Sequence, residues 1–216
     1  MVKKKKSRLF ETFISKLLKQ LSSDRGITSN AKQQLNSALC ILSRELVQLA
    51  SKLTEISHKK TLSDKEIRGA VRLLFSESLA AHALHEGDKS LDSSTANNKV
   101  KGSRQSKAGI IFPPSLAEKF LRGFGYSKVM VSNTAPVYLA TIVEYVAAEL
   151  LELAAASAKS NSRVRITIRD LELARLNDSE LHQTFTKLKL EFLGGGVTPF
   201  VHPALLRKAK KKKTAA

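Results

Sequence analysis

The sequence contains no tryptophan and a single cysteine, Cys40, and only 6% of its 216 residues are aromatic. One cysteine excludes an intramolecular disulfide and favours a reducing setting or the inside of a particle. Without tryptophan or an aromatic platform, single-stranded RNA binding by base stacking is disfavoured. Every apolar run is shorter than the eighteen or so residues a membrane-spanning helix needs. The opening MVKKKKSRLFETF moves straight into an amphipathic pattern, without the apolar stretch of a signal peptide. Catalytic signatures are missing too. There is no nucleophile elbow, no pair of carboxylates set in a cleft, and no phosphate-cradling loop, because Gly194 to Gly196 lead into Val197, Thr198 and Pro199 rather than into a helix. Neither enzyme activity nor a cofactor is expected. His82 and His85 stand three apart beside Glu86, but no further ligand accompanies them, so no metal site is expected either.

Acidic residues are also scarce: 19 Asp and Glu face 37 Lys and Arg, a formal charge of +18. That excess favours a polyanionic partner, with nucleic acid ahead of an anionic membrane surface. With 42% hydrophobic residues, the chain can nevertheless bury a core as one domain or two small ones.

Leu35, Leu39, Leu42, Leu46, Leu49, Leu53 and Ile56 alternate steps of four and three, which places them on one stripe of a helix from about Thr28 to Ile56. Such a helix is roughly 40 Å long at 1.5 Å per residue. The first five positions recur 104 residues later as Leu139, Val143, Val146, Leu150 and Leu153, the stripe of a second long helix. Ser63 and Glu66 form a capping-box pattern after the first long helix, and Thr167 and Asp170 repeat it at the same offset. Short amphipathic segments, LFETFISKLLKQL and PSLAEKFLRGF, precede the two long helices. Each half therefore reads as short helix, loop, long helix, loop, short helix. Pro136 falls in the first turn of the second long helix, where its missing N–H costs nothing. A lone long helix cannot bury its stripe in so small a unit, so the two halves should cross their long helices and share one core. The run SESLAAHALHEGDKSLDSS adds a further helix of mixed polarity, and Asn97 to Lys107 reads as a tether without apolar period. After NDSELHQTF, the run TKLKLEFLGGGVTPFVHPALL cannot be a regular helix and should lie extended on another surface.

Helix, loop, long helix, loop, helix is the pattern of the histone fold, and the residues extend the likeness. Leu9 to Thr95 resembles histone 2B through "LLKQL", "DRGITS", "AVRLL" and "LAAHALHEG". Ser106 to Leu206 resembles histone 2A through "AGIIFP", "APVYLATIVEYVAAELLELA", "RDLELA", "NDSEL" and "GGGVTPF". Joined in this order, the two are similar to the histone doublets encoded by some giant DNA viruses. The resemblance implies an all-α chain of two tandem histone folds forming an intramolecular pair. Its expected parts are a basic tail at 1–8, a 2B-like fold at 9–96, a linker at 97–107, a 2A-like fold at 108–206 and a basic tail at 207–216. It further implies packaging of double-stranded DNA without base readout, about three turns per pair. The implied partners are histone 3 and 4 type proteins, expected as a fused doublet of their own, with a second copy of this chain in the particle. The implied location is a virion, a viral factory or the host nucleus. A histone-fold transcription or assembly factor is the alternative, disfavoured by the 2A-like docking tail. The terminal runs, Lys3 to Lys6 and Arg207 to Lys213, fit nuclear import, phosphate binding or plain solubility alike.

By the resemblance, loops meet in twos and face DNA phosphates. One half offers Arg25, Thr28 and Ser29 in one loop and Lys59, Lys60 and Thr61 in the other. The second half offers Lys128 in one loop and Arg163 with Arg165 in the other, and Lys119 and Arg122 add a basic helix face. Arg165 matches the arginine that the 2A family inserts into the minor groove. Lys59 replaces the 2B family's arginine, keeping the charge and losing the planar fork. Glu144, Glu149 and Glu152 share one side of their helix and match the 2A family's acidic patch, which takes an arginine from basic peptides. Asp178 and Glu180 match two more of its members and Glu86 matches one from the 2B side, while Ser179 and Ser78 stand where two acids are lost. No Lys or Arg interrupts Ala135 to Ala158. The segment containing Gly194, Gly195, Gly196, Val197, Pro199 and Phe200 corresponds to the 2A surface that docks on the histone 3 and 4 tetramer.

Overall fold

A computed structural model of the chain describes residues 8–97, 101–125 and 130–197. The first half contains α1 (Glu11–Leu21), β1 (Gly26–Ile27), α2 (Ser29–Ile56), β2 (Thr61–Leu62), α3 (Asp64–Leu74) and α4 (Glu77–Ala96). A short α5 (Arg104–Ala108) leads into the second half: α6 (Pro114–Phe124), β3 (Met130–Val131), α7 (Ala135–Ser160), β4 (Arg165–Ile166), α8 (Ile168–Asn177) and α9 (Ser179–Lys187). The long helices α2 and α7 end on the same device. The Ser57 hydroxyl donates to the Leu53 carbonyl at 2.6 Å, and the Asn161 side-chain amide donates to the Ser157 carbonyl at 2.8 Å. A left-handed residue then turns the chain away, His58 at φ 51° and Ser162 at φ 53°. Both expected capping boxes, Ser63 with Glu66 and Thr167 with Asp170, open α3 and α8.

The repeat interlocks head to tail. β1 pairs in parallel with β4, Gly26 opposite Arg165, and β2 pairs in parallel with β3, Thr61 opposite Met130. Each two-residue ladder ties a loop of one half to a loop of the other. Between them runs one core, in which Leu35, Leu39, Leu42 and Leu46 of α2 join Leu139, Val143, Val146 and Leu150 of α7, none more than 2% exposed. Phe10 bridges the halves by packing on Phe112 and Phe120, with ring centroids 5.3 and 5.9 Å away. Neither half could exclude water from these side chains alone.

Two expectations need correction. Ile56, assigned to the apolar stripe, is 74% exposed, because the covered face of the last turns of α2 runs through the buried Ala50, Ser51 and Thr54 and Ile56 points away from it; Leu49 and Leu53 are half-buried. The tether is also more ordered than its composition implies. Residues 104–108 form α5, started by the Ser103 hydroxyl accepting from the Ser106 N–H at 3.1 Å and ended by Gly109 at φ 70°. Asn97 donates to the Lys107 carbonyl, Gln105 donates to the Ile111 carbonyl, and Arg104 pairs with Glu118 of α6. Among the described residues, no helix is long and apolar enough to cross a membrane.

Candidate nucleic-acid interface

The first loop pair is built by the β1 and β4 ladder. Gly26 donates to the Val164 carbonyl at 3.2 Å and Thr28 to the Ile166 carbonyl at 3.0 Å. Arg25 lies partly inside the ladder, its guanidinium donating to the Arg163 carbonyl at 2.6 Å and facing Asp24. Arg165 is exposed on the outer edge. Thr28 caps α2 in an extended conformation without a side-chain bond to the helix, and Ser29 is exposed. The N–H groups of the first turn of α2 thus open beside Arg165, an arrangement suited to a phosphate oxygen.

The second loop pair is built by β2 and β3, where Met130 donates to the Lys60 carbonyl at 2.9 Å and Ser132 to the Leu62 carbonyl at 2.9 Å. Lys60 is exposed, Thr61 half-buried and Met130 64% exposed. Lys128 lies outside the described residues.

Lys59 and Arg163 occupy equivalent places in the repeat, and both are engaged inside it. The Lys59 ammonium meets Glu66 at 2.6 Å, and the Arg163 guanidinium meets the fully buried Asp170 at 2.8 Å and the Thr167 hydroxyl at 3.2 Å. Burial alone would raise the Glu66 carboxyl. Lys59 and the hydroxyl and N–H of Ser63 overcome this and bring it from 4.5 to about 2. Each cation therefore pairs with the acid of its own capping box, although the Lys59 side chain stays half exposed; among the described residues, Lys60 and Arg165 are exposed loop cations outside these pairs. On α6, Lys119 is exposed, whereas Arg122 and Arg104 share the Glu118 carboxylate at 2.8 and 2.5 Å. The two guanidinium groups hold that carboxyl below its usual range.

A separate cleft gathers carboxylates. A cleft between α4, α7, the end of α1 and residues 108–111 is lined by Glu86, Glu144, Glu149 and Glu152. Tyr145 stands among them: burial pushes its phenol up, and so do Glu149, which accepts its hydrogen bond, and the charges of Glu180 and Glu86. Two further expected members accept backbone N–H groups. Glu144 accepts the N–H groups of Ile111 at 2.8 Å and Phe112 at 2.6 Å, and burial raises its carboxyl against the opposing pull of those bonds. Asp178 caps α9 by accepting from the N–H groups of Glu180 and Leu181 at 3.0 and 2.7 Å. Lys89 pairs with Glu86 at 3.3 Å and trims the charge at one end. Glu149, Glu152 and Glu180 are the carboxylates most simply offered to a ligand, and Ser78 and Ser179 are exposed hydroxyls.

The segment after α9 lies on the chain's own helices. Phe192 is buried against Phe185, and its N–H donates to Glu172 at 3.0 Å. Gly194 and Gly196 take left-handed φ values of 91° and 65°, and a Cβ on Gly195 would sit 3.3 Å from the Arg169 backbone. The triplet is glycine for two reasons: turn geometry at its ends and close approach at its centre. Val197 is half-buried; Pro199, Phe200 and both terminal lysine runs lie outside the described residues.

Sequence reading missed the buried ion pair between Glu172 and Arg175, with side chains 8% and 6% exposed. Its signal, opposite charges three apart on α8, is ordinarily that of a solvated helix pair. It also missed Gly87 of α4 packing on the Tyr138 ring, with Arg68 above the ring at 4.8 Å. His82 and His85 are exposed, and no cluster of three metal-ligating side chains exists among the described residues. Cys40 is half-buried at the core's edge, as its position beside Leu39 implies.

Two helix, strand, long helix, strand, helix units interlocked through both ladders define a pair of histone folds in one chain. Similarity to known proteins takes this further. Residues 1–73 and 119–176 match the core histone domain family, which comprises histones 2A, 2B, 3 and 4. The chain is 43% identical to histone 2A.2 of Lodderomyces elongisporus over 113 residues, 52% of this chain and 85% of that protein. It is 39% identical to histone 2A.1 of Tetrahymena thermophila over 129 residues, 60% of this chain and 93% of that protein. The histone from Methanopyrus kandleri, at 16% identity, shares the fold with a TM-score of 0.52 over 76% of this chain and 91% of that one. The chain belongs to the core histone family, whose members are structural rather than catalytic.

Proposed function

We propose that this chain is a fused histone 2B and 2A pair that packages double-stranded DNA in a nucleosome-like particle, together with histone 3 and 4 type partners. Residues 9–96 form the 2B-like unit and 108–206 the 2A-like unit. The observation that carries this reading is the cross-pairing of loops. Each ladder draws one loop from each half, so Arg25, Thr28, Ser29 and Arg165 gather at one end of the molecule and Lys60 and Thr61 at the other. No helix among them is set to read base edges, so backbone contact and groove insertion are the mode the site supports. The relatives named histone 2A support a DNA-associated, chromatin-like setting. The joining of both halves in one chain supports an origin among the doublets of giant DNA viruses.

The acidic cleft, with Glu86, Glu149 and Glu152 in its lining and the charge of Glu180 acting on Tyr145 within it, is assigned to an arginine-bearing basic peptide, whose guanidinium would find bidentate carboxylates there. The segment from Gly194 to Phe200 is assigned to docking on the histone 3 and 4 partner. Ile56 and Leu73, 74% and 61% exposed, fit further burial by such a partner. Nuclease digestion of DNA reconstituted with this chain, with and without a histone 3 and 4 tetramer, tests the reading. Discrete protected lengths that grow when the tetramer is added are expected. Protection restricted to one DNA sequence would instead identify a site-specific factor.

A further inference from the structure

A second set of buried charges on α8, Glu172 and Arg175, touches the segment assigned to docking. Glu172 and Arg175 form a two-point ion pair, Arg175 donating from Nε at 3.0 Å and from Nη2 at 2.5 Å. The oxygen that takes the Nε bond also accepts the Phe192 N–H at 3.0 Å. Arg175 is itself braced by His182, 3.4 Å from its other terminal nitrogen. A buried ion pair adds little net stability over an apolar pair of equal volume. Its presence therefore calls for another reason, and what it does geometrically is fix one carboxylate oxygen at the backbone of the segment.

Two further side chains complete the arrangement. Gln34 of α2 donates to the Leu193 carbonyl at 2.6 Å, and Arg169 of α8 donates to the Gly196 carbonyl at 3.2 Å. The three satisfy backbone groups of Phe192, Leu193 and Gly196 from beneath, while the Leu193 side chain points into solvent, 73% exposed. An apolar partner surface can then cover the segment without stranding those backbone groups, which would cost it affinity.

Building on the docking assignment above, we propose that Glu172, held by Arg175, is the positioning residue of the docking segment: it latches Phe192 to α8, so that Leu193 to Val197 meets the histone 3 and 4 partner already formed. Two double variants of the full chain separate this from a merely structural role. Glu172→Leu with Arg175→Leu removes the pair without leaving a lone buried charge and abolishes the acceptor for Phe192. Glu172→Gln with Arg175→Leu also removes the pair but keeps an amide oxygen for the Phe192 N–H. Binding to a recombinant histone 3 and 4 tetramer, DNA binding, and hydrogen exchange at the Phe192 amide are measured on both.

The first variant is expected to bind the tetramer at least roughly tenfold more weakly, with about tenfold faster exchange at Phe192 and unchanged DNA binding. The second is expected to recover most of the tetramer affinity and the exchange protection. A loss of overall stability would be common to both and leaves the comparison between them intact. Wild-type tetramer affinity in the first variant, or equal loss in the two, overturns the latch. If the unaltered chain ignores the tetramer, the docking assignment falls and the latch with it, a result distinct from either of those.

Discussion

Arg163 and Arg165 stand two residues apart with their guanidinium groups in different surroundings. Arg163 holds the fully buried Asp170, and Arg165 is exposed on the ladder edge. Arg165→Ala should leave melting nearly unchanged while lowering the slope of log affinity against log salt by about 0.9, one phosphate contact, on unrelated DNA sequences alike. Arg163→Ala should destabilise the fold by about 1–3 kcal/mol through the stranded carboxylate, and salt titration beside thermal melting distinguishes the two. The same distinction divides the glutamates of α7. Glu144→Ala orphans the N–H groups of Ile111 and Phe112, so denaturation should show a loss of about 1–3 kcal/mol. Glu149→Ala with Glu152→Ala should stay within roughly 0.5 kcal/mol in the same measurement and weaken binding of an arginine-bearing peptide to assembled particles. From helical spacing, all three glutamates are legible only as one polar side of an apolar helix, and the likeness to the 2A acidic patch groups them together. What separates Glu144 is a contact across 32 positions to the turn before α6, and helical spacing carries no information about it.

At the scale of elements, the apolar stripes and capping boxes were readable because each rests on local spacing and is stated twice, 104 residues apart. Ends and joints were less readable. Ile56 keeps the period of α2, yet the covered face of the last turns is that of Ala50, Ser51 and Thr54, and period alone does not say at which angle a neighbouring helix crosses. Residues 104–108 form α5 without an apolar stripe because their support is polar and comes from outside: Asn97 of the preceding segment, Glu118 of α6 and the Ile111 carbonyl. The packing of α4 on α7 supplies a sharper test. Gly87 lies against the Tyr138 ring, where a Cβ would come within 2.5 Å of Cε2. Replacing a helical glycine by alanine ordinarily gains about 0.5–1 kcal/mol. Here overpacking of about 1–3 kcal/mol opposes it in a core that cannot easily give. Because the ring is also fixed by Arg68, the clash should prevail, and Gly87→Ala should lower the midpoint of urea unfolding.

For the molecule as a whole, the shared core and the two ladders predict one cooperative transition. Protease cleavage between Asn97 and Lys107 should leave the fragments associated on a sizing column in moderate salt, since the core leucines of α2 and α7 and the aromatic contacts of Phe10 all cross between halves. The cleaved pair should then melt at a temperature that rises with protein concentration, and the intact chain at one that does not. The short path through α5 gives this difference its meaning. Two separate chains meet at whatever concentration the surroundings provide, and on dilution they part. Halves joined by so few residues face each other at an effective concentration on the order of millimolar. Dilution that would strip a two-chain pair into unfolding halves leaves this one whole, in fixed one-to-one proportion, so its two basic ends reach DNA together in a single encounter.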